Sequence, residues 1–402
     1  MSYSFRVLSV HTPEDVNREL AAIDLDPFSI RNLGPKMLHR LLLLERVDIR
    51  EGNLLKQLLL SLGGDAAIAG RGGERDHTTV SVILMGTDKQ LRRLCQDLSQ
   101  QPFGLPSLSA DLLRVLDSMA DPPRIWKIAT RTFDLSCRPC VMGVLNVTPD
   151  SFSDGNWYFP PEIAVERALE MEQEGADIID IGGESTRPGA EPVGPVEELR
   201  RIMPVLEKLS GRLSIPVSID TFKASVARES LAAGAEIIND ISGLSFDRRM
   251  AEVIAETQAG LVVMHTRGRP AEMQNDTEYG SLLTDVIDSL RTSIARAEAA
   301  GIASDRVVVD PGIGFGKSTR GNLELLCRLP ELSVLGRPIM IGTSRKSFIG
   351  TVLNRTEGER LFGTAATVAV ALVKGASIFR VHDVRAIRDV VDMTKAILDA
   401  PV

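Results

Sequence analysis

The sequence predicts an α/β chain: a (β/α)8 TIM barrel over residues 138–402, preceded by a small α+β domain over 1–120 and a linker over 121–137. Three observations predict this. Eight short apolar runs follow residue 138, helical segments separate them, and nearly every run ends in a charged or amide side chain.

The runs are VMGVLNV, ADIIDIGG, PVSIDT, EIINDIS, LVVMHT, RVVVDPG, PIMIGTS and SIFRVHD. Strands that are apolar throughout are expected where helices cover one face and a closed interior fills the other. Between them lie segments of helical periodicity such as PEIAVERALEMEQEG, PVEELRRIMPVLEKL, KASVARESLAAG, DRRMAEVIAETQ and GERLFGTAATVAVALVKG. An open doubly wound sheet is the rival, but its first turn normally carries GxGxxG, and here the first strand runs into NVTPDSF.

Residues 1–120 read differently. FRVLSV suggests a short strand and PEDVNRELAAI a helix. A Leu-rich stretch around Met37, Leu38, Leu41 and Leu42 repeats at helical spacing, TTVSVILMG suggests a second strand, and DKQLRRLCQDLSQQ another helix. The segment ADPPRIWKIATRTFDLSCRP, with three prolines, reads as a linker plus a strand entering the barrel.

Composition narrows the function. A net charge of −8 argues against nucleic-acid or anionic-membrane partners, while leaving room for a local basic pocket. Aromatics at 4% suit a core of Val, Ile, Leu and Ala. Neither a signal peptide nor an apolar stretch of membrane-spanning length is read, so a cytoplasmic protein is expected. The 4 cysteines are too scattered for a disulfide framework, and Cys137 and Cys140, a lone CxxC, read as linker thiols rather than a zinc site.

Barrel enzymes carry their chemistry where strands end. Here that rim reads Asn146, Asp180, Glu184–Arg187, Asp220, Asn239–Asp240, His265, Asp310, Ser344–Ser347 and Arg380–Asp383. A single Asp after a strand is often a helix N-cap, but caps need one polar residue each and favour Ser and Thr as well. Asp220, Asn239, Asp310 and Lys346 suit a flat heterocycle that presents N–H groups, because carboxylates accept hydrogen bonds in pairs. Arg187, Arg345, Arg380 and His382 supply positive donors for phosphate or carboxylate. DPGIGFGKS has one residue too few between its glycines for a phosphate-cradling P-loop. His265, with no HExxH pattern, reads as a packed or hydrogen-bonded histidine.

MGVLNVTPDSFSDG at 142–155, GGESTRPGA at 182–190, SIDT at 218–221, NDIS at 239–242, DPGIGFGK at 310–317, SRKS at 344–347 and RVHD at 380–383 together resemble the dihydropteroate synthase family, in order and at barrel spacing. The resemblance implies condensation of 6-hydroxymethyl-7,8-dihydropterin diphosphate with p-aminobenzoate, giving 7,8-dihydropteroate and pyrophosphate in folate synthesis by an SN1-like course. It implies a pterin site at Asp220, Asn239, Met264, Asp310, Gly342 and Lys346, and a diphosphate site at Asn146, Arg380 and His382 with Mg2+ at Asn146. It also implies an aminobenzoate site at Phe152, Ser153, Asp154, Thr186, Arg187, Phe315 and Ser347, the pocket that sulfonamides occupy. Lys346, Arg187 and Asp310 would carry catalysis, and a homodimer is expected. Two positions depart from the pattern: Asn156 replaces a second glycine after SFSDG, and Thr266 follows the strand-five histidine in place of a longer side chain. A pterin-binding methyltransferase barrel and a non-catalytic scaffold are the alternatives. The methyltransferase does not require ESTRPG, SRKS and RVHD together, and a scaffold that had lost its activity should have lost some of the anion and pterin positions, which are all intact.

Overall fold

A computed structural model describes residues 4–8, 10–69, 79–101, 105–148, 160–185 and 189–400. The chain forms two compact units, Met1–Pro122 and Pro123–Val402.

In the first unit three antiparallel strands, β1 (His39–Asp48), β2 (Asp65–Ala69) and β3 (Thr79–Thr87), lie in the order β1-β3-β2. Helices Ile49–Ser61 and Asp88–Leu98 share a core with this sheet, and Thr87 and Gln90 form a capping box at the start of the second. Two expectations are corrected. FRVLSV forms no strand at its described residues, and the Leu-rich stretch is helical only as far as Met37, with Leu41–Leu44 in strand β1. Contiguous leucines satisfy either period, and pairing decides between them: Leu42 lies opposite Leu84 and Leu44 opposite Val82, while Leu41 and Leu43 face outward.

In the second unit the segment expected as a linker plus a strand holds two strands, β4 (Ile125–Lys127) and β5 (Thr132–Asp134), paired as a hairpin. Trp126 stacks on Phe133 and is wholly buried, and its indole N–H donates to the Arg306 carbonyl at 3.0 Å. An indole is too large and too apolar to leave in water, so the hairpin docks rather than dangling. Cys140 is buried at the start of the first barrel strand, whereas Cys137 is exposed.

The barrel has all eight expected strands: β6 (Cys140–Asn146), β7 (Ile178–Gly182), β8 (Val217–Asp220), β9 (Ile237–Asp240), β10 (Gly260–Met264), β11 (Val307–Asp310), β12 (Met340–Ile341) and β13 (Ile378–Val381). They pair in parallel in the order β11-β10-β9-β8-β7-β6-β13-β12, and a bridge between Val309 and Ile339 closes the ring.

Side chains alternate along a strand, so every second residue points inward. Met142, Ile178, Ile237, Val262, Val308, Met340 and Ile378 make an apolar lower layer closed underneath by Trp126. The residues between them, such as Ile179, Ile219, Val263, Val309 and Phe379, pack outward against the helices. Two steps further along each inward row stand Asp180, Asn239, Met264, Asp310, Gly342 and Arg380, with Ser218 and Asp220 inward on β8. The same alternation that builds the core therefore delivers polar groups to the barrel mouth.

Candidate active site

Arg380, one inward step beyond Ile378 on β13, reaches across the barrel. Its Nε donates to Asp180 Oδ2 at 2.6 Å and its Nη2 to Asp220 Oδ2 at 2.7 Å. Asn239 Nδ2 donates to the same Asp180 oxygen at 3.2 Å. Burial works against the Arg380 charge, but Asp180 and Asp220 outweigh it and its pKa rises. Burial pushes Asp220 up to about 7 against the pull of Arg380. Among the described residues, Asp180 Oδ1, Asp220 Oδ1, Asn239 Oδ1 and Ser218 Oγ are buried with no hydrogen-bond partner. Unmet acceptors in one cavity call for a donor-rich ligand, since each is costly to leave unpaired.

Asp310 stands at the end of β11. Its Oδ1 accepts from Gly312 N at 2.7 Å, and burial pushes its pKa up to about 6, with the Gly312 N–H and Lys346 opposing. Lys346 precedes helix Ser347–Leu353, and its Nζ lies 4.1 Å above the centre of the Phe315 ring. Phe315 in turn joins Met264, Ile241 and Met273 in an apolar cluster. Carboxylates, an ammonium and an aromatic face thus meet around one opening.

His382 Nδ1 pairs with Ser344 Oγ at 2.9 Å. Burial and the nearby Arg380 lower its pKa to about 3, so it is a neutral imidazole at neutral pH, not the positive donor expected from sequence. Arg345, another expected anion donor, is engaged with Asp383, its Nε 3.0 Å from Oδ2. Asn146 is half-buried at the end of β6, its Oδ1 facing Gly182. Gly342 lies beside Arg380, and Ser347 is exposed in the first turn of its helix. Thr266 Oγ1 donates to the Gly268 carbonyl at 3.2 Å, so its short side chain serves its own loop. Phe152, Ser153, Asp154, Asn156, Thr186 and Arg187 lie outside the described residues.

Sequence reasoning left three groups without a role. Asp180, read at the rim but assigned to no ligand, is buried at the centre of the network, and its inward parity with Ile178 was the available signal. Lys317 is buried and bonds His265 Nδ1, the Gly312 carbonyl and the Phe315 carbonyl, each at 2.9 Å. With its donors so engaged it is no phosphate-binding P-loop lysine, and His265 is the hydrogen-bonded histidine expected. Lys223 bonds both Glu184 and the buried Glu198, and Glu184 Oε1 accepts from Val193 N at 3.0 Å, which holds the first residue of ESTRPG against the chain that follows the segment.

Comparison with known proteins agrees with this geometry. A family model described as pterin binding enzyme matches residues 142–382. Dihydropteroate synthase of Synechocystis is 45% identical over 285 residues, covering 70% of this chain and 98% of that protein. The crystal structure of Yersinia pestis dihydropteroate synthase with a sulfonamide drug complex is 43% identical, with a TM-score of 0.66, and is covered in full by 69% of this chain. A probable bifunctional folylpolyglutamate synthase/dihydropteroate synthase of Halobacterium salinarum is 42% identical over 382 residues. That match covers 95% of this chain, so it runs through most of the first unit as well, while the chain spans only 46% of that relative's length.

Proposed function

The chain belongs to the pterin-binding enzyme family and its barrel is a dihydropteroate synthase barrel, and from that premise we propose that the protein joins 6-hydroxymethyl-7,8-dihydropterin diphosphate to p-aminobenzoate, releasing pyrophosphate. One observation carries the reading: unmet acceptors on Asp180, Asp220 and Asn239 share a barrel mouth with Asp310, Lys346 and the Phe315 face. A pterin ring offers N–H groups to the carboxylates and the amide and a flat surface to Lys346 and Phe315. The methyltransferase and scaffold alternatives are not favoured, since the relatives compared carry the synthase name.

In this proposal Asp310 accepts the paired N–H groups of the pterin, with Asp220 and Asn239 completing the grip and Lys346, Met264 and Gly342 bordering the ring. Arg380, Asn146 and the neutral His382 receive the diphosphate, His382 as a hydrogen-bond donor through Nε2. Bond breaking at the exocyclic methylene leaves a cation delocalised into the dihydropterin, and the buried carboxylates stabilise it. The neutral arylamine then attacks, so no strong base is needed. Phe315 and Ser347, with Phe152, Ser153, Asp154, Thr186 and Arg187 from the first two loops, would seat the aminobenzoate.

A magnesium ion fits this site through Asn146. Among the described residues no three His, Cys, Asp or Glu side chains gather to hold a metal, but Mg2+ keeps several waters and binds through one or two protein oxygens plus substrate phosphates. Bound there, it would neutralise charge on the departing pyrophosphate.

A homodimer is also proposed. Helix Leu361–Val373 is apolar nearly all round, and Phe362, Val370 and Val373 are exposed along one side, as expected of a helix that packs on a second copy. No helix among the described residues is long and apolar enough to cross a membrane, and the cysteines are unpaired, which supports a cytoplasmic setting.

The test is a pyrophosphate-release assay with both substrates and Mg2+. We expect equimolar pyrophosphate and dihydropteroate, dependence on Mg2+, and competition between a sulfonamide and p-aminobenzoate. No dihydropteroate under these conditions overturns the reading.

A further inference from the structure

Lys317 is a buried cation that the proposed chemistry does not use. Its three acceptors, His265 Nδ1, Gly312 O and Phe315 O, match the three N–H bonds of an ammonium. When Lys317 is an ammonium it has no acceptor, so His265 then offers a bare Nδ1 and carries its proton on Nε2. Burial lowers the His265 pKa to about 2, with the Lys317 charge adding to the effect. Burial likewise lowers that of Lys317 to about 7, with Asp310 opposing. A charge out of water is retained only where something holds it and is held by it.

What it holds is the frame around Asp310. The Gly312 carbonyl accepts a hydrogen bond from Lys317 Nζ, while the Gly312 N–H donates to Asp310 Oδ1 at 2.7 Å. His265 N donates to the Asp310 carbonyl at 3.0 Å. Gly312 itself sits at φ +71, where a Cβ would lie 1.9 Å from the His265 carbonyl oxygen, so strand end and loop are locked together. Gly314 supports the Lys346 stem, with a Cβ there reaching 3.0 Å from Lys346 Cδ.

We infer that Lys317 is a positioning residue that fixes the Asp310 carboxylate, through Gly312 and His265, in the orientation that grips the pterin. The inference rests on the synthase reading above and assigns Lys317 no contact with substrate.

A double-mutant cycle tests it, using full-length protein. Asp310→Asn is expected to lower kcat/KM for the pterin diphosphate by about 10²-fold and Lys317→Gln by roughly 10-fold. If Lys317 acts through Asp310, the double variant is no worse than Asp310→Asn alone, within about 3-fold. Lys317→Met, which removes every donor at similar volume, should repeat the pattern. Multiplying effects, near 10³-fold, overturn the inference, because a general structural role has no reason to vanish when Asp310 is altered. So does failure of both Lys317 variants to fold, which would make the lysine a stability element of the barrel. Failure of the synthase reading appears separately, as wild-type protein that makes no dihydropteroate.

Discussion

Arg380→Met offers a direct measure of how the barrel mouth is held together. The guanidinium lies 2.6 Å from Asp180 Oδ2 and 2.7 Å from Asp220 Oδ2, and both carboxylates are buried. Two charges about 4 Å apart at an effective dielectric of about 20 attract by about 4 kcal/mol. Removing one member of a buried pair typically costs about 3–5 kcal/mol. We expect a loss of about 4 kcal/mol in unfolding free energy at pH 8. The loss should depend on pH. Asp220 has a folded pKa of about 7, raised from 3.8, so the stability it contributes is fully present below the unfolded value and is lost as pH rises towards 7. Without Arg380 its folded pKa moves higher still, and each further pH unit costs about 1.4 kcal/mol more than in the wild type. The deficit at pH 6 should therefore be at least about 1 kcal/mol smaller than at pH 8. Urea unfolding followed by tryptophan fluorescence at the two pH values measures both quantities. A deficit under about 1 kcal/mol, or one unchanged between pH 6 and 8, would refute the idea that Arg380 neutralises this pair.

Three further outcomes are expected. Lys346→Ala and Arg187→Ala should each reduce turnover by at least about 10²-fold in folded protein, and near-normal rates in both would defeat the site assignment. Gly312→Ala should weaken binding of a pterin analogue, measured calorimetrically, by at least about 10-fold, because its Cβ would meet the His265 carbonyl at 1.9 Å; retained affinity would mean the loop can shift freely. Phe362→Glu should yield monomers in analytical ultracentrifugation, and an intact dimer would place the interface elsewhere.

The barrel was legible because its two signals are independent. Apolar runs such as VVVD and IIND announce buried strands, and their terminal polar residues announce the mouth. Asp220, Asn239, Asp310 and Lys346 could be named from those ends together with the family resemblance. Asp180 was read at the rim but given no role, since an Asp near a strand end reads as a helix cap until strand parity is followed inward. Lys317 was concealed by its motif: comparison with a P-loop asks where phosphate would go, and its real partners are a histidine 52 residues earlier and two carbonyls of its own loop. Leu41–Leu44 satisfies helix and strand equally, and only pairing with β3, which includes residues some 40 positions away, decides. The segment around Trp126 looked like a linker because prolines mark breaks, yet they say nothing about where an indole finds cover.

The Trp126 hairpin also fixes where the catalytic half begins. Gly260 leaves space for the indole and for Ile128, since a Cβ there would lie 2.6 Å from Ile128 Cγ2. A shortened protein that starts at Cys140, the first barrel strand, would thus lose the floor of the barrel and wet Met142, Ile178 and Val308. One that starts at Pro123 retains it. Any attempt to separate the two units by proteolysis or expression should cut ahead of the hairpin, and a barrel trimmed behind it would aggregate for reasons unrelated to catalysis.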